Sequence, residues 1–111
     1  ARLCLATATE ESLARACLRR LGVEELFDFL LSCESVGVGK DKPDIFHMAA
    51  RRMGAVPEEI AVFEDALYAA RTAAGAGFYT VGVYDPLTPP GDWEALQNLA
   101  DELITDWRKA Q

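Results

Sequence analysis

Basic side chains, histidine, paired cysteines and long apolar runs are what this sequence of 111 residues has least of. Eleven Lys and Arg stand against eighteen Asp and Glu, a formal net charge of −7 at pH 7. That sign excludes the electrostatic footprint needed on nucleic acid or anionic lipid, and favours a small partner that is itself basic or bridged by a metal. No apolar stretch approaches the ~20 residues that span a bilayer, and the first residues lack a basic segment leading into a long apolar one. A cytoplasmic chain is therefore expected. Cys4, Cys17 and Cys33 are odd in number and contain no close pair, which excludes a disulfide framework and a zinc knuckle; they read as reduced, buried thiols acting as small hydrophobes. His47 is the single histidine, has no metal-spaced partner, and reads as structural or exposed rather than as a general base.

What is present is an ordinary globular composition, 50% hydrophobic and 26% charged, in a length that allows one domain at most. Apolar runs and helical periodicity alternate along it, the pattern of a parallel α/β domain. Residues 2–6 read as a buried strand. Thr9 is the expected N-cap of a helix over 10–21, in which Glu10 and Glu11 suit the positive end, Leu13, Cys17 and Leu21 form the inward stripe, and Gly22 is the stop. Residues 24–29 suit a helical turn and 30–36 a weaker strand. The loop 37–41 leads to Pro43 at the first turn of a second helix, whose stripe is Ile45, Phe46, Ala49, Ala50 and Met53 and whose stop is Gly54.

Residues 60–63 are the most strand-like run. A smooth alanine-rich helix over 66–75 follows, then a strand over 79–83, a proline-rich loop, a helix over 93–99 and an edge strand over 102–104. Asp44 reads as a first-turn carboxylate stabilised by the helix dipole. Trp93 and Trp107 read as packing residues. Arg19, Arg20, Arg51 and Arg52 read as helix-face charges with no aromatic interleaved.

In an open parallel sheet ligands bind at the carboxyl ends of the strands, so the polar residues just after each strand matter most. Three groups stand there. Thr7 and Ala8 end the first strand at a helix start, where a hydroxyl and free N–H groups can bind an anionic oxygen. Lys40 follows the second strand as a mobile point charge, with Lys42 offering the same charge two residues on. Glu64 and Asp65 end the third strand and supply the hard oxygen donors that Mg²⁺ prefers. Together they describe a phosphate site with a divalent cation.

LATAT at 5–9, GKDKPDIF at 39–46 and VFEDALYAARTAAGAGF at 62–78 resemble the second, third and fourth motifs of the haloacid dehalogenase-like hydrolase superfamily, in the right order and spacing. The likeness is best to its phosphoglycolate phosphatase and β-phosphoglucomutase branch. The resemblance implies a Rossmann-like three-layer α/β sandwich with a mainly parallel sheet. It makes Thr7 the phosphate-binding hydroxyl, Ala8 a backbone donor, Lys40 the third-motif lysine, and Asp65 a ligand of Mg²⁺ assisted by Glu64. It also implies a nucleophilic aspartate in a DxD motif, and no DxD occurs in the sequence. Residues 1–111 are thus expected to be the C-terminal part of a core domain, without its first strand and its cap. An N-terminal segment or a neighbouring chain would complete the sheet, or else the strands flanking the gap would pair directly.

The function implied is a part of a magnesium-dependent phosphatase that acts on a small phosphorylated metabolite through a phosphoaspartate. A phosphosugar mutase of the same superfamily shares every motif present. A non-catalytic phosphate- or metal-binding α/β module is the reading from another class.

Overall fold

The computed structural model describes residues 2–106, so Trp107 lies outside the described residues. The chain divides into two compact units, Ala1–Gly54 and Ala55–Gln111. Every strand pairing in both is parallel, which makes each unit an α/β structure.

The first unit contains β1 (Cys4–Thr7), α1 (Glu11–Leu21), a 3-10 turn (Glu24–Leu26), β2 (Phe29–Ser32), α2 (Cys33–Val36) and α3 (Asp44–Met53). β1 pairs with β2 in the register Cys4↔Phe29 to Thr7↔Ser32. The ladder is entered through Asp28, whose amide donates to the Leu3 carbonyl at 2.7 Å and whose carboxylate accepts from the Leu3 amide at 2.6 Å.

α1 occupies the expected place but is capped by Glu10, not Thr9. Glu10 keeps a non-helical φ/ψ of −57°/141°, and its carboxylate accepts from the amides of Ser12 and Leu13. Thr9 is engaged one step earlier, donating its amide to Thr7 Oγ1 at 3.0 Å. The Ser12 hydroxyl and amide hold the Glu10 carboxyl below its ordinary pKa. The inward stripe also differs from expectation. Ala14 is the buried residue of α1, whereas Leu13 and Leu21 are 64% and 66% exposed and Cys17 is exposed too. Ala14, Cys17 and Leu21 stand on one helical face at i, i+3 and i+7, and of these only the small Ala14 is buried.

The second strand stops at Ser32, earlier than expected. Ser32 adopts an extended conformation and its hydroxyl accepts the Ser35 amide at 3.1 Å, so residues 33–36 close a single helical turn instead of extending the strand. Gly37, at φ 95°, then reverses the chain in the left-handed region that favours glycine. α3 buries Ile45, Phe46 and Ala50 as its spacing predicts, and ends at Gly54. Arg52 departs from the reading of a plain helix-face charge. Its guanidinium lies 4.3 Å from the centroid of the Phe29 ring, a cation–π contact worth about 0.5–1 kcal/mol at an exposed site.

The second unit contains a 3-10 turn (Pro57–Glu59), β3 (Ala61–Glu64), α4 (Leu67–Gly75), β4 (Tyr79–Val83), α5 (Pro90–Leu99) and β5 (Glu102–Ile104), with strand order β3-β4-β5. α4 lies on β3 and β4 through Ala69, Ala70 and Ala73, all fully buried. α5 begins three residues before the expected position because Pro90 takes the first helical turn, where a missing N–H costs nothing. Its Leu96 is fully buried and fills the space over Gly82. Trp93 packs edge-to-face on Tyr84, with centroids 5.3 Å apart. β5 is tied down by Asp101, whose amide donates to the Thr80 carbonyl at 2.9 Å while its carboxylate accepts from the Thr80 amide at 2.8 Å. The Tyr79 hydroxyl also donates to Glu102.

β1 and β2 form one sheet, and β3, β4 and β5 the other.

Two outcomes follow from this packing. A Cβ at position 82 would stand 2.9 Å from Leu96 Cγ and 3.1 Å from Leu103 Cδ2. Gly82→Ala should thus destabilise the chain by about 1–3 kcal/mol through overpacking, read as a lower denaturation midpoint at unchanged slope. The cysteines should also separate by reactivity. Burial pushes the Cys4 thiol up to about 11, against the opposing pull of the Arg52 charge. The exposed Cys17 should therefore be alkylated at least about tenfold faster at neutral pH, which peptide mapping after a brief iodoacetamide pulse would measure.

Candidate functional site

In each unit chemistry-bearing residues stand where a parallel strand ends, Lys40 excepted. Thr7 is the last residue of β1 and is half-buried; Ala8 follows it and is exposed. The Thr7 hydroxyl oxygen accepts the Thr9 amide, which leaves the hydroxyl proton as a donor for an incoming oxygen. Lys40 is half-buried in the turn that joins α2 to α3. Lys42, two residues on, is exposed and donates its amide to the Gly39 carbonyl at 3.2 Å. Asp44 lies in the first turn of α3, as its dipole reading requires, and His47 is an exposed residue of the same helix.

In the second unit Glu64 is the last residue of β3, 8% exposed, and its Oε1 accepts the Ala66 amide at 3.3 Å. That bond turns the chain toward α4 and leaves Asp65 exposed just beyond the strand. Asp65 makes no hydrogen bond or ion pair among the described residues, so its carboxylate oxygens are available to a cation. Among the described residues no group of three or more His, Cys, Asp or Glu side chains gathers as a metal cage. Magnesium does not demand one, since it commonly takes one or two carboxylates and completes its octahedron with water and phosphate. An exposed, uncommitted aspartate beside a buried glutamate, both hard oxygen donors, fits that requirement.

Thr7, Ala8 and Lys40 thus belong to the first unit, and Glu64 and Asp65 to the second. The structure adds residues that the motifs did not single out. A cleft of about 470 Å³ opens beside Asp65, lined by Tyr68 and Arg71 of α4 and by Asp85, Thr88 and Asp92. Asp85 stands two residues past β4, and that strand-end position was the signal that could have drawn attention to it. Its Oδ1 accepts the Leu87 amide at 2.9 Å and its carbonyl accepts that of Thr88 at 2.9 Å, which shapes the rim of the cleft.

A parallel α/β arrangement with these strand-end residues defines a class, and the sequence profile of the haloacid dehalogenase-like hydrolases matches residues 1–77. The chain belongs to that family of hydrolases. It is similar to fructose-1-phosphate phosphatase YqaB of Escherichia coli, with 36% identity over 81 residues, covering 73% of this chain and 43% of the relative. It is similar also to a phosphorylated carbohydrates phosphatase of Thermotoga maritima, 38% identical over 76 residues and covering 68% and 35%. Validoxylamine A 7'-phosphate phosphatase of Streptomyces hygroscopicus subsp. limoneus is 34% identical over 100 residues, covering 90% and 45%. A solved structure of a Thermotoga maritima protein assigned as a β-phosphoglucomutase superposes with a TM-score of 0.81 at 33% identity, over 94% of this chain and 48% of that one. The chain therefore spans less than half the length of each of these relatives. Among the described residues, no helix is long and apolar enough to cross a membrane.

Proposed function

We propose that residues 1–111 are part of the core domain of a cytoplasmic, Mg²⁺-dependent phosphatase that removes phosphate from a small phosphorylated sugar or related metabolite. The observation that carries this reading is positional. Thr7, Ala8, Glu64 and Asp65 fall at or just beyond the carboxyl ends of parallel strands, the edge where α/β sheets bind ligands, and Lys40 lies in the connection that follows β2 and α2. The relatives named as phosphatases of fructose 1-phosphate and of phosphorylated carbohydrates support the substrate class.

In this reading the Thr7 hydroxyl and the Ala8 amide donate to the phosphoryl oxygens in the field of the α1 N-terminus. The Lys40 ammonium offsets the charge that builds on those oxygens in the transition state. Asp65, assisted by Glu64, holds Mg²⁺. When bound, that ion supplies further neutralisation of phosphoryl charge. The nucleophile is an aspartate outside these 111 residues. It forms the phosphoaspartate that water then releases, so that one hard displacement becomes two. The same outlying segment, or a neighbouring chain, supplies the strand that completes the core. A phosphosugar mutase is the second reading, favoured by the 33% identity to the structure assigned as a β-phosphoglucomutase. A non-catalytic phosphate- or metal-binding module would keep the binding residues and lack turnover.

Three measurements test this. In the intact protein that carries the chain, Asp65→Asn should abolish Mg²⁺-dependent hydrolysis of an aryl phosphate; activity within about threefold of the unmodified protein would overturn the metal assignment. Lys40→Ala should lower kcat by at least about tenfold while Lys42→Ala changes little, and the reverse ranking would move the role to Lys42. The 111-residue chain alone, given Mg²⁺ and an activated phosphoester, should show no turnover above the buffer rate, and turnover would place the nucleophile among these residues.

A further inference from the structure

Two aspartates, one in each unit, make the same pair of hydrogen bonds. Asp28 stands one residue before β2, and its partner Leu3 one residue before β1. The Asp28 amide donates to the Leu3 carbonyl at 2.7 Å, and the Leu3 amide donates back to the Asp28 carboxylate at 2.6 Å. Asp101 stands one residue before β5, and its partner Thr80 one residue before Val81, with which the β4–β5 ladder opens. The Asp101 amide donates to the Thr80 carbonyl at 2.9 Å, and the Thr80 amide to the Asp101 carboxylate at 2.8 Å. In both places a carboxylate takes the amide that lies just outside a parallel ladder.

The ladders closed in this way are short, four pairs between β1 and β2 and three between β4 and β5. β1 carries little register information of its own. All four of its residues are half-buried, so neither face is marked as the inner one. An offset of two residues keeps every side chain on its face, and it sets Leu3 in the place of Leu5 and the small Cys4 in that of Ala6. It also carries Thr7 about 6.6 Å past Ser32. The apolar pattern tolerates that offset, whereas the Asp28 carboxylate, directed at one particular amide, opposes it. We propose that Asp28 and Asp101 are register clamps, and that Asp28, acting through β1, is a positioning residue that holds Thr7 level with Ser32 at the sheet edge. The consequence for activity rests on the role given to Thr7 above; the clamp itself does not. Asp101 does the same for β5, in the unit that does not contain Thr7.

The test compares Asp28→Ala, Asp28→Asn and Asp101→Ala in the intact protein that carries the chain. Hydrogen exchange of the Leu3 amide should quicken by at least about tenfold in Asp28→Ala, and that of Thr80 in Asp101→Ala, the change expected when a charged acceptor is removed. Asp28→Asn keeps an acceptor oxygen and should restore most of the Leu3 protection. Inter-strand proton contacts should join Thr7 to Ser32 in the unmodified protein, and Leu5 to Ser32 in Asp28→Ala. On an aryl phosphate, kcat should fall by at least about tenfold in Asp28→Ala and stay within about threefold in Asp28→Asn and Asp101→Ala. Unchanged Leu3 exchange or an unchanged Thr7–Ser32 pairing in Asp28→Ala would overturn the clamp. Equal losses of kcat in the two alanine variants would overturn the positioning role, since general destabilisation would act on both. A shifted register with native kcat counts against the role of Thr7 and leaves the clamp standing. Should Asp28→Ala not fold, the unmodified protein decides, because Leu3 exchange at the rate of an unstructured peptide would overturn the clamp by itself.

Discussion

The close approach of α4 to β3 and β4 is the constraint on which the second unit depends. A helix can lie this low on a sheet only if the side chains between them are small, and Ala69, Ala70 and Ala73 are fully buried in that layer. The same economy of volume recurs at Gly82, where the absent side chain is replaced by Leu96 of α5. Because α4 is seated by these contacts, the turn that leads into it is set as well. Glu64 reaches forward to the Ala66 amide, and Asp65 is left at the strand end facing outward. The position of the key carboxylate is thus a consequence of alanine packing one turn away from it.

Parallel pairing imposes the second condition. In each ladder the strands finish on one edge, so Thr7 shares its edge with Ser32, and Glu64 shares its edge with Gly82. Polar residues gather there because the chain must leave the sheet for a helix, and each such exit creates free amides that need acceptors. Some of the demand is met internally, by Glu10 at α1 and Ser32 at α2. No side chain caps α3, α4 or α5, although Glu64 takes the Ala66 amide at the entry to α4, and the cleft lies beside α4 and α5.

Most of the architecture was legible in the sequence, because strand-to-helix alternation and glycine stops are local signals. Gly22, Gly54 and the strand at 79–83 fall where periodicity puts them. What was illegible depended on partners distant in sequence or on competition between neighbouring caps. Thr9 lost the cap to Glu10, whose carboxylate reaches the Ser12 and Leu13 amides, while the Thr9 amide donates back to Thr7. Leu13, Cys17 and Leu21 have the spacing of an inward stripe, yet on the face that Cys17 and Leu21 share with Ala14 only Ala14 is buried, and spacing alone does not say how far along a helix its neighbours reach. Arg52 lies over Phe29, 23 positions earlier in the chain, which no local window shows. The motif residues were legible as strand-end chemistry. The cleft was not, since it is made by α4 and a loop that only the fold brings together.

The hydroxyl of Tyr79 bonds to Glu102 across the β4–β5 ladder, and that bond, with the nearby carboxylates, holds the phenol above its ordinary pKa. The ring is therefore an optical gauge of the edge strand. While β5 is docked the phenol resists ionisation in alkaline solution. If β5 peels away, the phenolate absorbance of this residue comes in earlier, near the usual value of about 10 for tyrosine. Fraying of the outermost strand would in this way announce itself in the near-ultraviolet spectrum before the core of the unit opens.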